Sequence, residues 1–153
     1  VPLLELGACL GLLIGRTAHR VKRDEALRCV AGFVAVADLS VPHESFYRPA
    51  VRLKALDGSC RMSVPVPLSG FDPDAAVICV LVDGAVAQEA GTGNFVRHAA
   101  QLLADVSDFM TLRPGDVLLT GVPFGAPRVR AGQQAHVEIA GVGTLDLRFE
   151  ATQ

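Results

Sequence analysis

The stretch "AGFVAVADL", residues 31–39, places small and β-branched apolar side chains one after another until Asp38 breaks the run. A run this short, with no polar position every second or every third to fourth residue, reads as a strand buried on both faces. Upstream, "LLELGACLGLLI" at residues 3–14 has the same character, broken only by Glu5, and reads as a second buried strand. Gly7, Gly11 and Gly15 repeat at a spacing that suits packed membrane helices, but a run of twelve residues that includes Glu5 is too short to cross a bilayer. No basic segment precedes the run, so it does not read as a signal peptide. Strands rarely begin abruptly at a chain end, and with Val1 already inside the apolar run we expect further residues upstream.

Working outward, "VKRDEALRCV" (21–30) spaces its apolar residues near the helical period and predicts a short helix. "CRMSVPVPLSGFDPDA" (60–75) carries Pro65, Pro67 and Pro73, which excludes a helix or a central strand. "AVICVLVDGAVAQEA" (76–90) predicts two strands joined by an Asp83-Gly84 turn. "NFVRHAAQLLADVSDFM" (94–110) predicts the longest helix, with Asn94 as N-cap and an apolar stripe of Phe95, Ala99, Leu102, Leu103, Val106 and Met110. "VLLTG" (117–121) predicts a strand, "VPFGAP" (122–127) a loop, and "AHVEIAGVGTLDLRFE" (135–150) two closing strands. About seven strands against two helices make an α+β, β-rich fold, and residues 1–153 suit a single domain.

Half of the 153 residues are hydrophobic, 20% are charged, and the mean hydropathy is +0.38, as in a globular chain with a substantial core. A formal charge of −2 with no Lys/Arg run gives no field for nucleic acid. With no Trp and one Tyr, platforms for base stacking are missing as well. Cys9, Cys29, Cys60 and Cys79 form no CxxC pair, which argues against structural zinc and disulfides and for reduced thiols in the cytoplasm. Phosphate-binding loops, nucleophile elbows and HExxH helices are absent, and His19, His43, His98 and His136 are too dispersed to suggest a metal cluster.

One segment departs from this apolar background. "VADLSVPHESFYRPAVRLK" (36–54) brings Asp38, His43, Glu44, Tyr47, Arg48, Arg52 and Lys54 into a short space. Asp38 ends a buried strand, where a carboxylate needs a metal, a cation or backbone donors; a turn-capping aspartate is the plainer alternative. If 48–54 is extended, Arg48, Arg52 and Lys54 share a face. Together they would grip a substrate with more than one carboxylate, unless they simply solvate an edge strand.

The segments "IGRTAHRV", "DEALRCVAGFVAVADLS", a lysine sixteen residues after Asp38, "MTLRPGDVLLTGVPFG" and "VEIAGVGTL" occur in an order that resembles the fumarylacetoacetate hydrolase superfamily across nearly the whole chain. The stretch "ESFYRPAVRLKALDGSC" resembles the branch that decarboxylates and isomerises 2-oxo diacids in homoprotocatechuate breakdown. The resemblance implies a mixed β-roll or sandwich with a few short helices, dimeric association, and Mg2+ or another divalent cation. It implies a small di- or tricarboxylic 2-oxo acid as substrate, and a homologous, metal-bearing subunit or half as partner.

By the same resemblance, two glutamates and one aspartate hold the metal. Here Gly7 and Cys9 stand in the glutamate positions, Asp38 is the remaining ligand, and Val122 replaces a threonine. Lys54 would stabilise an oxyanion, with His43 and Glu44 moving the proton. Arg48, Arg52 and Tyr47 would contact the distal carboxylate. Glu5 lies two residues from position 7, on its face but further along the strand. Three readings stay open: an active decarboxylase/isomerase subunit, a non-catalytic half, and an acylpyruvate-type hydrolase.

Overall fold

The computed structural model describes residues 3–44, 50–67 and 69–151. Its two long strands are β1 (Leu4–Ile14) and β2 (Val30–Ser40), paired antiparallel from Glu5↔Ser40 to Ile14↔Val30. They form the centre of a sheet ordered β3-β2-β1-β7, where β3 is Cys60–Met62 and β7 is Val117–Leu119. Two short strands complete it: β4 (Val66–Pro67) on β2 and β8 (Arg128–Val129) on β1. The proline-rich segment thus contributes only short flanking strands, because each proline removes a ladder donor.

A second sheet runs β10-β9-β5-β6, built from β5 (Val77–Val82), β6 (Ala85–Gly91), β9 (Gln134–Ile139) and β10 (Gly143–Arg148). The hairpin β5–β6 turns at Asp83 and Gly84, with φ of 50° and 82°. Two consecutive positive φ values are what the Asp-Gly pair supplies at little steric cost.

The main core lies between the sheets. Leu6, Ala8, Leu10 and Leu12 of β1 join Phe33, Ala35, Ala37 and Leu39 of β2 against Ile78, Val80, Val137 and Ile139 of the second sheet. Alternation then sends Glu5, Gly7, Cys9 and Gly11 to the opposite face of β1. There Cys9, Val34 and Val36 form a second buried cluster, with Val117 and Leu119 packed on it. Burial on both faces is why these two strands read as unbroken apolar runs. Among the described residues no helix is long and apolar enough to cross a membrane.

The helices differ in detail from expectation. The first is one turn, α1 (Arg23–Ala26), running into a 3-10 turn at Leu27–Cys29. The long helix, α3 (Ala99–Phe109), begins five residues after the expected N-cap Asn94, which sits in a 3-10 turn at Thr92–Asn94. Asp74, from a distant loop, accepts the Ala99 N–H at 2.9 Å and does the capping instead. The helix buries Ala99, Leu103 and Ser107, while Met110 at its end is exposed. Between β2 and β3 in the chain lies α2 (Val51–Lys54), a helical turn where we expected extended chain. Ala50 C=O accepts from Leu53 and Lys54 N–H, and Val51 C=O accepts from Ala55 N–H, closing that turn.

Candidate active site

The segment after β2 folds back on the strand it leaves. Val41 N–H donates to Leu53 C=O at 2.8 Å, and Leu39 N–H donates to Ser59 C=O at 2.8 Å, which seats α2 beside the end of β2. Lys54 Nζ thereby reaches Asp38 Oδ2 at 2.8 Å. The lysine side chain is half exposed and the aspartate 19% exposed, so the pair is partly screened by solvent.

Asp38 and Lys54 line one cavity of about 190 Å³ together with Glu5, Gly7, Ser40, His43 and Val122. His43 hydrogen-bonds through Nδ1 to Val41 C=O at 3.1 Å, which fixes the ring at the rim. Glu5, Gly7, Asp38 and Ser40 belong to one register patch, Glu5↔Ser40 and Gly7↔Asp38, so their side chains share the sheet face.

The remaining sequence candidates are placed elsewhere or lie outside the described residues. Glu44 is exposed and does not line the cavity. Arg52 is exposed on α2, and since two residues on a helix diverge by about 200°, it cannot share the direction of Lys54. The expected common face of Arg52 and Lys54 assumed an extended chain, which the helical turn replaces. Tyr47 and Arg48 fall outside the described residues. The described cavity therefore sets two carboxylates, Glu5 and Asp38, against one ammonium, and not three cations against a ligand. Ser40 and Cys60 escaped the sequence reading. Ser40 is two residues after Asp38, so the strand period alone could have found it. Cys60 enters through pairing of β3 with β2, opposite Asp38, and no local signal announces that.

Burial, reinforced by the charges of Asp38 and Cys60 and opposed by Lys54, pushes the Cys9 thiol up from 9.0 to about 12. Burial and then Asp38 also raise the Cys60 thiol. Cys9 is thus a neutral thiol across the physiological range, packed among valines.

The sequence pattern of the fumarylacetoacetate (FAA) hydrolase C-terminal family matches residues 3–150. The chain belongs to this family. A homoprotocatechuate catabolism bifunctional isomerase/decarboxylase of Escherichia coli is 37% identical over 92% of this chain. That match covers 32% of the bacterial enzyme, so the chain spans about a third of the length of such relatives. An oxaloacetate tautomerase of the same species is 30% identical over 86% of the chain and 64% of its own length. Among solved structures, fumarylpyruvate hydrolase from Pseudomonas aeruginosa, in complex with Mn2+ and pyruvate, superposes with a TM-score of 0.91 at 26% identity. That superposition covers 98% of this chain and 67% of the hydrolase. The family's members include isomerase/decarboxylases, tautomerases and hydrolases that act on small organic acids.

The divalent metal that this family implies does not fit the residues present. Gly7 has no side chain, Cys9 is an un-ionised thiol, and Asp38 is already engaged by Lys54. Among the described residues no group of three His, Cys, Asp or Glu side chains is placed to hold a metal. Mg2+ needs near-octahedral oxygen ligation anchored on carboxylates; Asp38 is neutralised by Lys54, and Glu5, the other carboxylate lining the cavity, completes no such group with it among the described residues.

Proposed function

We propose that this chain is one half of a decarboxylase/isomerase of 4-hydroxyphenylacetate (homoprotocatechuate) degradation, and that it acts with a homologous, metal-bearing half. The reaction of that pathway step removes CO2 from 5-carboxymethyl-2-oxo-hex-3-ene-1,7-dioate and then isomerises 2-hydroxyhepta-2,4-diene-1,7-dioate. The 37% identity to the bifunctional enzyme supports the pathway, and the observation that carries the division of labour is the Lys54 ammonium on Asp38, the residue to which the family resemblance assigns the remaining metal-ligand role.

Both steps pass electrons into a 2-oxo group as an enolate, so both need positive charge at the developing oxyanion. In this chain Lys54 is the one cation lining the described cavity, and its ammonium shares its charge with Asp38. Lys54 would hold the substrate oxygen, and His43, whose Nδ1–H is taken up by Val41 C=O, would exchange a proton at Nε2. Arg52, exposed on α2, and Arg48 and Tyr47, which lie outside the described residues, are the proposed contacts for a distal carboxylate. On this reading the chain contributes assembly and weak substrate contact in the cytoplasm, and the metal-bearing half carries the chemistry. A hydrolytic role on an acylpyruvate is the second reading, favoured by the likeness to fumarylpyruvate hydrolase.

The test assays CO2 release and isomerisation by the purified chain alone and mixed with a metal-bearing homologous half. We expect near-background turnover alone, since losing oxyanion stabilisation costs about 10²–10³ in rate, and turnover on mixing. Robust turnover by the unaltered chain alone, with or without added metal, would overturn the proposal.

A further inference from the structure

We infer that Val122, together with the Asp38 carbonyl, denies this site a metal ligand from position 7, by filling the volume that a side chain there would occupy. The inference rests on the reading above that the metal chemistry lies in the other half, and it explains why this half cannot regain a metal by exchange of ligands alone.

The loop from Thr120 to Pro127 is tied to β1 on both sides of Gly7. Thr120 donates through N–H and Oγ1 to Leu10 C=O, each at 3.0 Å, and Leu6 N–H donates to Pro127 C=O at 2.8 Å. Gln88 Nε2 donates to Phe124 C=O at 3.1 Å and ties the middle of the loop to β6. Between these anchors Val122 lies on Gly7. A Cβ placed on Gly7 would meet Val122 Cγ2 at 2.7 Å and Cγ1 at 3.2 Å, and Asp38 C=O at 2.8 Å. Real side chains do not make contacts this close, so any residue other than glycine at position 7 must move Val122 and open β1 from β2. Val is β-branched and stiff at χ1, and its loop is pinned by three backbone carbonyls, so it does not swing aside cheaply.

Gly7 and Val122 therefore act as a pair. The volume next to Gly7 that a carboxylate-bearing side chain would need is taken by an apolar group, although the cavity beside it stays open. In the same cavity the Lys54 ammonium neutralises Asp38, so position 7 is blocked sterically and the remaining carboxylate is compensated electrostatically.

The test compares Mn2+ binding, read by electron paramagnetic resonance, for Gly7→Glu/Cys9→Glu with and without Val122→Ala. This readout does not require turnover, so failure here is separate from failure of the proposed activity. We expect the variant that retains Val122 to bind Mn2+ no better than the unaltered chain, and Val122→Ala to tighten binding by about tenfold or more, the lower end of what residues outside the ligand set commonly contribute. Equal Mn2+ affinity with and without Val122 would overturn the inference. Because two new carboxylates on a buried strand can prevent folding, a second measurement uses Gly7→Ala, Val122→Ala and their combination in thermal melts. Gly7→Ala should lower the melting temperature by less once Val122 is truncated, and an equal drop in both backgrounds would overturn the inference by itself.

Discussion

Replacing Cys9 by Ala should flatten the loss of stability that this protein suffers at alkaline pH. Cys9 is fully buried, and its thiol is raised from 9.0 to about 12, first by burial and then by Asp38 and Cys60. Above pH 9 the unfolded chain ionises this thiol while the folded chain keeps it protonated. The folded state then binds more protons, so stability falls as pH rises. The stabilisation is complete below pH 9 and is lost between pH 9 and pH 12. Each pH unit in that window is worth about 1.4 kcal/mol, so about 2 kcal/mol disappears between pH 8 and pH 10.5 on account of this one group. Urea unfolding at a series of pH values, for the unaltered chain and for Cys9→Ala, measures it. The cavity left by the sulfur shifts the variant's curve uniformly, and Lys and Tyr ionisation is common to both, so the difference in slope isolates the thiol. Parallel curves from pH 8 to 10.5 would show that Cys9 ionises freely in the folded state, and would remove one reason for excluding it as a metal ligand.

Two further outcomes follow from packing and capping. Phe33 is fully buried with its ring 4.7 Å from that of Phe71, so Phe33→Ala should cost about 3–5 kcal/mol in chemical unfolding; a loss below about 1 kcal/mol would mean that the sheets do not pack as described. Asp74→Ala removes the acceptor for the first N–H of α3 and should cost about 1 kcal/mol in the same assay, whereas unchanged stability would show that the helix start is capped some other way.

The neutral Cys9 thiol, the Asp38–Lys54 pair and the Gly7–Val122 contact bear on one question, since each removes something a divalent cation would need. The thiol offers no charge, the aspartate is already engaged, and the remaining position has no room for a side chain. Their agreement makes the metal-poor character of this site a property of the packing around it as well as of its ligands.

The sequence alone determined the elements whose cause is local. β1 and β2 were legible because burial on both faces demands continuous apolar runs, and the β5–β6 turn because only certain residues accept two positive φ angles in succession. The motif order likewise carried the family, with Asp38 and Lys54 sixteen residues apart. Where an element depends on a distant partner, the sequence was silent. A single turn such as α2 is too short to be stable by propensity, and hydrogen bonds with the end of β2 hold it, so neither the turn nor the divergence of Arg52 from Lys54 could be read locally. The start of α3 is set by Asp74, whose place beside Ala99 exists only in three dimensions. Above all, Val122 shows its role only when the loop is laid across β1. From sequence, Gly7 is a missing ligand; the tertiary structure makes it a position already filled, because two close-packed groups cannot occupy one volume.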